Sequence, residues 1–207
     1  MVVGRGLFIV FEGIDGTGKT TQAGLLAEAV ARRGHRVLVT REPGGTELGE
    51  ALRKILLFGS EPIDPTAELL MYAAARAQNV ARKILPSLRE GMVVISDRFS
   101  DSTYAYQGCG KGISATLIEQ VGSLSGMGLI PDLTILLDMR PERALSRLKG
   151  PPDRMEGEGA EFLGRVREGF LARAAADPGR YLVLDGEKSE EELFQRVFAA
   201  VLKYLEA

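Results

Sequence analysis

FEGIDGTGKTTQ occupies residues 11–22, and within it Gly13 to Thr20 spell G-x-x-x-x-G-K-[ST]. An apolar run, LFIVF at Leu7–Phe11, leads into the loop, and an Ala/Leu-rich stretch from Lys19 to Arg33 leaves it, stopping at Gly34. Strand, glycine loop and helix in that order are what phosphate binding demands. Glycines let consecutive backbone N–H groups curl around phosphate oxygens, and the helix N-terminus adds partial positive charge. Gly13, Ile14, Asp15, Gly16, Thr17, Gly18, Lys19, Thr20 and Thr21 are therefore expected at a nucleoside triphosphate, ATP or GTP. Lys19 is placed to reach its β- and γ-phosphates, and the Thr20 hydroxyl to ligate Mg2+. Asp15 is the odd member, because a carboxylate beside a triphosphate is electrostatically awkward.

Outward from the loop, VLVT (Val37–Thr40), MVVIS (Met92–Ser96), LTILL (Leu133–Leu137) and YLVL (Tyr181–Leu184) are short, nearly continuous apolar runs. Such runs read as strands of a parallel sheet buried on both faces. Helical patterns lie between them. After Asp64-Pro65, apolar residues recur at Leu69, Ala73, Ala77, Val80 and Ile84, one helical face. Ser189 and Glu192 form a capping box ahead of an amphipathic C-terminal stretch. Alternating strands and helices mean a doubly wound α/β fold with a five-stranded parallel sheet, in a single domain over residues 1–207. KGPPDRMEGEG, Lys149–Gly159, is too rich in Gly, Pro and charge to be core and reads as a mobile surface loop. GCGKG, Gly108–Gly112, follows no strand and reads as a flexible turn. His35 reads as a solvated histidine.

Composition sets the outer bounds. The 207 residues are 45% hydrophobic and 26% charged, ordinary for a globular protein. A net charge of -2 gives no electrostatic reason to expect nucleic acid as a partner. No run approaches the roughly 18 apolar residues of a membrane span. Cys109 is the lone cysteine, which rules out an internal disulfide framework and suits a free thiol in a reducing cytoplasm.

The chain has no N-K-x-D guanine-reading motif, and its size suits a small-molecule kinase better than a motor. TREPGGTELGE (Thr40–Glu50) closes the second strand, and DRFSDSTYAYQG (Asp97–Gly108) closes the third. Ligands of an open parallel sheet sit off the carboxyl ends of its strands, so these stretches converge on one crevice. Together with FEGIDGTGKTTQ and PDLTILLD, they resemble the thymidylate kinases over essentially the whole chain. The resemblance implies a P-loop nucleoside monophosphate kinase fold, transfer of the γ-phosphoryl of ATP to dTMP on the route to dTTP, Mg2+ as cofactor, and a cytoplasmic homodimer.

It also implies roles. Asp15 takes the 3′-hydroxyl of the acceptor's deoxyribose, and Arg98 grips the acceptor phosphate with Arg53 nearby. Asp97 joins Thr20 at Mg2+. Tyr72 stacks on thymine, while Arg76, four residues on and offset from the apolar stripe, donates to thymine O4. Thr103, Tyr106 and Gln107 lie near base and sugar. Glu42 stands near the acceptor phosphate without acting as a general base, because the attacking oxygen is already an anion. The departure from the family is Gly16, where some members carry arginine. A mobile lid at about 147–160 is then the expected source of positive charge, with Arg147 packing on adenine and Arg154 at the transferring phosphoryl. Catalysis would rest on Asp15, Lys19, Glu42, Arg98 and Arg154. On residue pattern alone, Asp97–Arg98 and Tyr72–Arg76 also suit self-bridged pairs, Arg53 a solvated helix arginine, and Arg154 an exposed pair with Glu156. A kinase for another nucleotide or nucleoside, and a phosphate-loop switch without turnover, are the alternatives.

Overall fold

A computed structural model describes residues 6–149 and 153–206; Gly150, Pro151 and Pro152 of the expected lid lie outside the described residues. The strands are β1 (Phe8–Glu12), β2 (Val37–Arg41), β3 (Val93–Asp97), β4 (Leu133–Asp138) and β5 (Tyr181–Asp185), within a residue or so of the apolar runs. All pair in parallel, in the order β2-β3-β1-β4-β5. The five-stranded parallel α/β sheet is as expected.

Helix α1 (Lys19–Arg32) packs Ala23, Leu26 and Val30 on one face of the sheet, beside Leu193, Val197 and Val201 of α9 (Glu190–Leu205). Across the sheet, Phe8, Val10 and Val94 meet Val80, Ile84 and Leu88, while Leu136 meets α8 (Gly159–Ala176) through Phe162, Val166 and Phe170. The central strands are buried on both faces. The outer two, β2 and β5, are not: Val39 and Val183 are 49% and 44% exposed, because an edge strand has a neighbour on one side only.

Three helical segments bear on the crevice. α2 (Glu47–Phe58) is capped by Thr46. α3 (Pro65–Asn79) is capped by Asp64, whose side chain accepts from the N–H groups of Thr66 and Ala67. It then widens into a π-helical turn, Val80–Ile84, before α4 (Leu85–Arg89), where Pro86 has no N–H to continue an α ladder. The short α5 (Ser100–Thr103) runs into a second π-helical stretch, Tyr104–Gly110, ahead of α6 (Ala115–Gly126). Most of the expected flexible turn GCGKG is thus helical. Gly110 packs so tightly that a Cβ there would lie 2.6 Å from the Phe162 ring. The segment Lys149–Gly159 follows α7 (Pro141–Leu145) and includes a short 3-10 helix, Glu156–Glu158. Its Met155 is buried among Leu56, Leu57 and Phe162, a core contact that the polar composition concealed.

β1 and β3 are neighbours, yet the chain leaves β1 toward β2 and β3 toward β4, on opposite sides. That reversal opens a crevice at the carboxyl ends. The register sets Asp97 of β3 level with both Phe11 and Arg41.

The capping box at α9 is intact, with Ser189 Oγ accepting from Glu192 N at 3.2 Å and Glu192 Oε2 accepting from Ser189 N at 3.2 Å. Ser189→Ala should destabilise the fold by about 1 kcal/mol. Thermal unfolding should show the midpoint falling by about 2–4 °C.

Candidate active site

The loop between β1 and α1 has its shape because two of its positions have no room for a side chain. Gly13 (φ 136) and Gly16 (φ 83) hold left-handed conformations, and a Cβ would lie 2.5 Å from Leu137 O at the first and 2.2 Å from Ala144 O at the second. The missing arginine at position 16 therefore has a physical cause. The backbone of α7 closes on the loop, and no side chain fits. Lys19 is buried, and its Nζ donates to Ile14 O at 2.8 Å and lies 3.9 Å from Asp15 Oδ1. Burial and the Arg98 guanidinium depress its pKa, against the pull of Asp15. Thr20 Oγ1 donates to Asp97 Oδ2 at 2.5 Å. Two hard oxygen donors thus sit side by side at the loop's mouth, a donor set that fits Mg2+, which commonly takes one or two protein oxygens beside phosphates and water.

Arg98 is the hub of the crevice. Its φ of 72 lies in the left-handed region, where a non-glycine residue is strained. Its N–H donates to Phe11 O at 2.9 Å, and its carbonyl accepts from Ser96 Oγ at 2.7 Å, which fixes that conformation. Nη1 donates to Gly13 O and Ser102 Oγ, and Nη2 to Asp15 Oδ1 at 2.6 Å and to Tyr106 Oη. The Tyr106 hydroxyl in turn donates to Asp15 Oδ2 at 2.8 Å. Burial alone would raise the Asp15 carboxyl; Arg98, Lys19 and Tyr106 outweigh it and hold Asp15 well below the usual carboxylate range. Asp15 therefore has a cation partner, and that partner comes from the turn just after β3.

Arg76 is only 2% exposed and belongs to the buried face of α3, not to a face offset from it. Nε donates to Glu42 Oε2 at 2.7 Å, and Nη2 donates to Phe99 O and Thr103 Oγ1. Its third nitrogen, Nη1, is buried and has no hydrogen-bond partner among the described residues. Glu42 is equally buried, and burial raises its carboxyl against the pull of Arg76. Arg53, half-buried, donates to Pro43 O at 3.1 Å.

Two cavities adjoin here. One is lined by Tyr72, Arg76, Thr103, Tyr106, Gln107 and Met155, the other by Gly18, Lys19, Thr20, Thr21, Thr46 and Asp97. Asp15, Glu42, Arg53 and Arg98 line both. Two expected residues lie elsewhere. Arg147 is exposed and donates to Gly186 O at 3.0 Å. Arg154 donates from Nη2 to Gly59 O at 2.6 Å, with its backbone N–H on Leu57 O, at the end of α2. Neither borders the two cavities.

Pattern reading missed three buried carboxylates or their roles. Glu12 ends β1 and accepts from the N–H groups of Phe99 (2.8 Å) and Ser102 (3.1 Å) and from Ser102 Oγ (2.6 Å). An acid closing an apolar strand just before the loop was its signal. Glu68 shares the face of Tyr72 and Arg76, at four and eight residues' spacing. Glu42, expected near the acceptor phosphate, lines both cavities and also holds Arg76, a role the pattern did not show.

The comparisons with known proteins agree with one another. The family model described as Thymidylate kinase matches residues 11–197. A thymidylate kinase of Pelotomaculum thermopropionicum is 48% identical over 98% of this chain and 96% of its own length. One from a Synechococcus is 50% identical over 94% and 95%. The crystal structure of thymidylate kinase from Ehrlichia chaffeensis superposes with a TM-score of 0.79 at 38% identity, covering 95% of this chain and 99% of that one.

Burial pushes the Glu12 carboxyl from its ordinary 4.5 up to about 7, with Asp101 adding to the rise and Arg98 opposing it. The folded chain thus keeps a proton that the unfolded chain has released. That stability is fully present below pH 4.5 and is lost as pH rises through about 7. Glu12→Gln stays neutral throughout. Its melting temperature relative to the parent should therefore rise by several degrees between about pH 5 and pH 8. Thermal melts across that range measure it, and a flat difference would clear Glu12 of the effect.

Proposed function

The chain belongs to the thymidylate kinase family, and from that premise we infer that its two adjoining cavities carry the terminal phosphoryl of ATP to dTMP, giving dTDP and ADP. The observation that supports this reading best is the shared wall. Asp15, Glu42, Arg53 and Arg98 line both cavities, so an acceptor in one and a triphosphate in the other meet across charged groups. A regulatory switch has no use for a second pocket beside its phosphate loop.

In this reading the phosphate loop, Gly13–Thr21, holds the triphosphate, and Lys19 turns from Ile14 O toward the β- and γ-oxygens. Mg2+, held by Thr20 and Asp97, would neutralise charge on the phosphates. Arg98 and Arg53 hold the acceptor phosphate. Asp15 and Tyr106 fix the deoxyribose, with the Tyr106 ring closing the space of a 2′-hydroxyl. Tyr72 lies on the base, the unpartnered Arg76 Nη1 is its donor to O4, and Thr103 and Gln107 complete the wall. The attacking oxygen is an anion that needs no base, so positioning and charge neutralisation carry the rate. Glu42 acts by orienting Arg76.

The single-domain reading with a lid at about 147–160 belongs to the proposal, as does adenine packing by Arg147. So do a homodimer and a cytoplasmic location. A dimer is supported by large exposed apolar side chains on neighbouring helices: Ile55 and Phe58 of α2, Leu70 of α3, and Leu124 of α6. The lone Cys109 supports the location. Among the described residues no helix is long and apolar enough to cross a membrane.

An ADP-release assay over a nucleotide panel tests the reading. dTMP should be the best acceptor, dUMP weaker, and CMP, AMP, GMP and thymidine negligible. Equal, slow release with every acceptor would point to the switch instead.

The lid carries a separate expectation. With no side chain possible at Gly16, the charge developing on the transferring phosphoryl needs a cation from the lid, and Arg154 must leave Gly59 O to supply it. Arg154→Ala should lower kcat by roughly 10²-fold with little change in KM for dTMP, the signature of a contact made mainly in the transition state. A near-normal kcat in steady-state assays would remove Arg154 from catalysis.

A further inference from the structure

Glu68 lies beneath the base pocket, fully buried, in the first turns of α3. Its Oε1 accepts from Gln107 Nε2 at 2.9 Å, and its Oε2 accepts from Lys111 Nζ at 2.7 Å. Lys111 also lies 3.8 Å from Glu158 in the segment expected as lid. The dTMP reading assigns Glu68 no part.

We propose that Glu68 is a specificity-determining residue, whose carboxylate dictates which end of the Gln107 amide faces the base. The inference rests on the dTMP reading and adds the reason that this pocket takes one pyrimidine pattern. A carboxylate ion-paired with Lys111 offers acceptors only. The Gln107 NH2 must therefore point at Glu68, which leaves its oxygen as the amide's group for the cavity that Gln107 lines. Arg76 lines the same cavity, and its Nη1 is a buried donor with no hydrogen-bond partner among the described residues. The pocket thus offers a donor and an acceptor in fixed roles. Thymine presents the complementary pair, an O4 acceptor beside an N3–H donor. Cytosine presents the reverse, an N4 amine beside an N3 acceptor, and meets donor with donor and acceptor with acceptor. A mismatch that leaves buried polar groups unpaired is the kind that gives strong discrimination.

Lys111 makes the idea testable, because it can only donate. In Glu68→Gln the single side-chain carbonyl is claimed by Lys111, so the new NH2 faces residue 107. The Gln107 amide must then turn over, with its oxygen toward the introduced amide and its own NH2 toward the base. Steady-state kcat/KM for dTMP and dCMP, with thermal melts to confirm folding, reads the outcome. E68Q should lower the dTMP-to-dCMP ratio roughly 10- to 100-fold, the penalty of an unpaired buried group. The double variant Glu68→Gln/Lys111→Met frees the amide from that demand and should recover part of the ratio. Lys111→Arg alone keeps the cation, and so the carboxylate, and should keep the parent's ratio. A folded E68Q with the parent's ratio overturns the proposal, and so does a double variant no better than E68Q. If E68Q does not fold, the double variant decides: with nothing left to dictate the Gln107 amide, a ratio below the parent's supports the proposal and the parent's ratio overturns it. A parent enzyme without preference for dTMP would instead overturn the dTMP reading itself.

Discussion

The half-buried ion pair between Asp15 and Arg98 is the constraint on which the crevice depends. It joins the loop after β1 to the turn after β3, across 83 residues of sequence. Two charges drawn partly out of water are costly unless their remaining donors and acceptors are satisfied. Here they are: Arg98 also reaches Gly13 O, Ser102 and Tyr106, and Asp15 also accepts from Tyr106. The pair can exist only because β1 and β3 are neighbours in the sheet, so the strand order is itself a condition of the site. The left-handed backbone at Arg98 is the strain accepted for aiming the guanidinium back over the loop.

Beneath that pair, buried acids recur with one function: each fixes a group that faces a cavity. Glu12 binds the N-terminal turn of α5 through Phe99 and Ser102, and Ser102 in turn accepts from Arg98. Glu42 fixes the plane of the Arg76 guanidinium. Glu68 fixes the amide of Gln107. On the far side of α5, Asp101 accepts from Arg173, Arg180 and the Tyr181 hydroxyl, which ties the same turn to β5. The walls of the crevice therefore rest on acids that are buried and hydrogen-bonded. Isolated buried charges would be a liability, whereas in this arrangement each partner's charge meets the other's need.

The sheet was legible because its signals are local. Five apolar runs, a glycine loop and a capping box each declare themselves within a few residues. The loop residues were legible for the same reason, since Lys19, Thr20 and the glycines follow from one spacing. Glu12, Glu42 and Glu68 were not, because an acid's role depends on the cation or amide it meets, and those partners are 34 to 90 residues away. The α3 face misled because its apolar residues suggested one stripe, while Arg76 and Asn79, both polar, sit on the buried side. Their burial is tolerable only with Glu42 and Thr40 opposite, which no helical periodicity reveals. Met155 escaped for a simpler reason: one apolar residue among prolines, glycines and charges carries no period at all.

Gly16 and Arg154 belong to a single argument. At Gly16 the close approach of Ala144 O excludes any side chain, so the loop cannot carry its own arginine. Arg154 is held at the end of α2, but poorly: Nη2 reaches Gly59 O while Nη1 is buried without a hydrogen-bond partner among the described residues. A guanidinium nitrogen left in that state forfeits about 1–3 kcal/mol. A phosphate oxygen satisfies guanidinium donors in pairs, with charge assistance that a backbone carbonyl lacks. On the proposed reading, a lid carrying Arg154 would therefore lose little on leaving Gly59 O and would gain from the phosphoryl group it met.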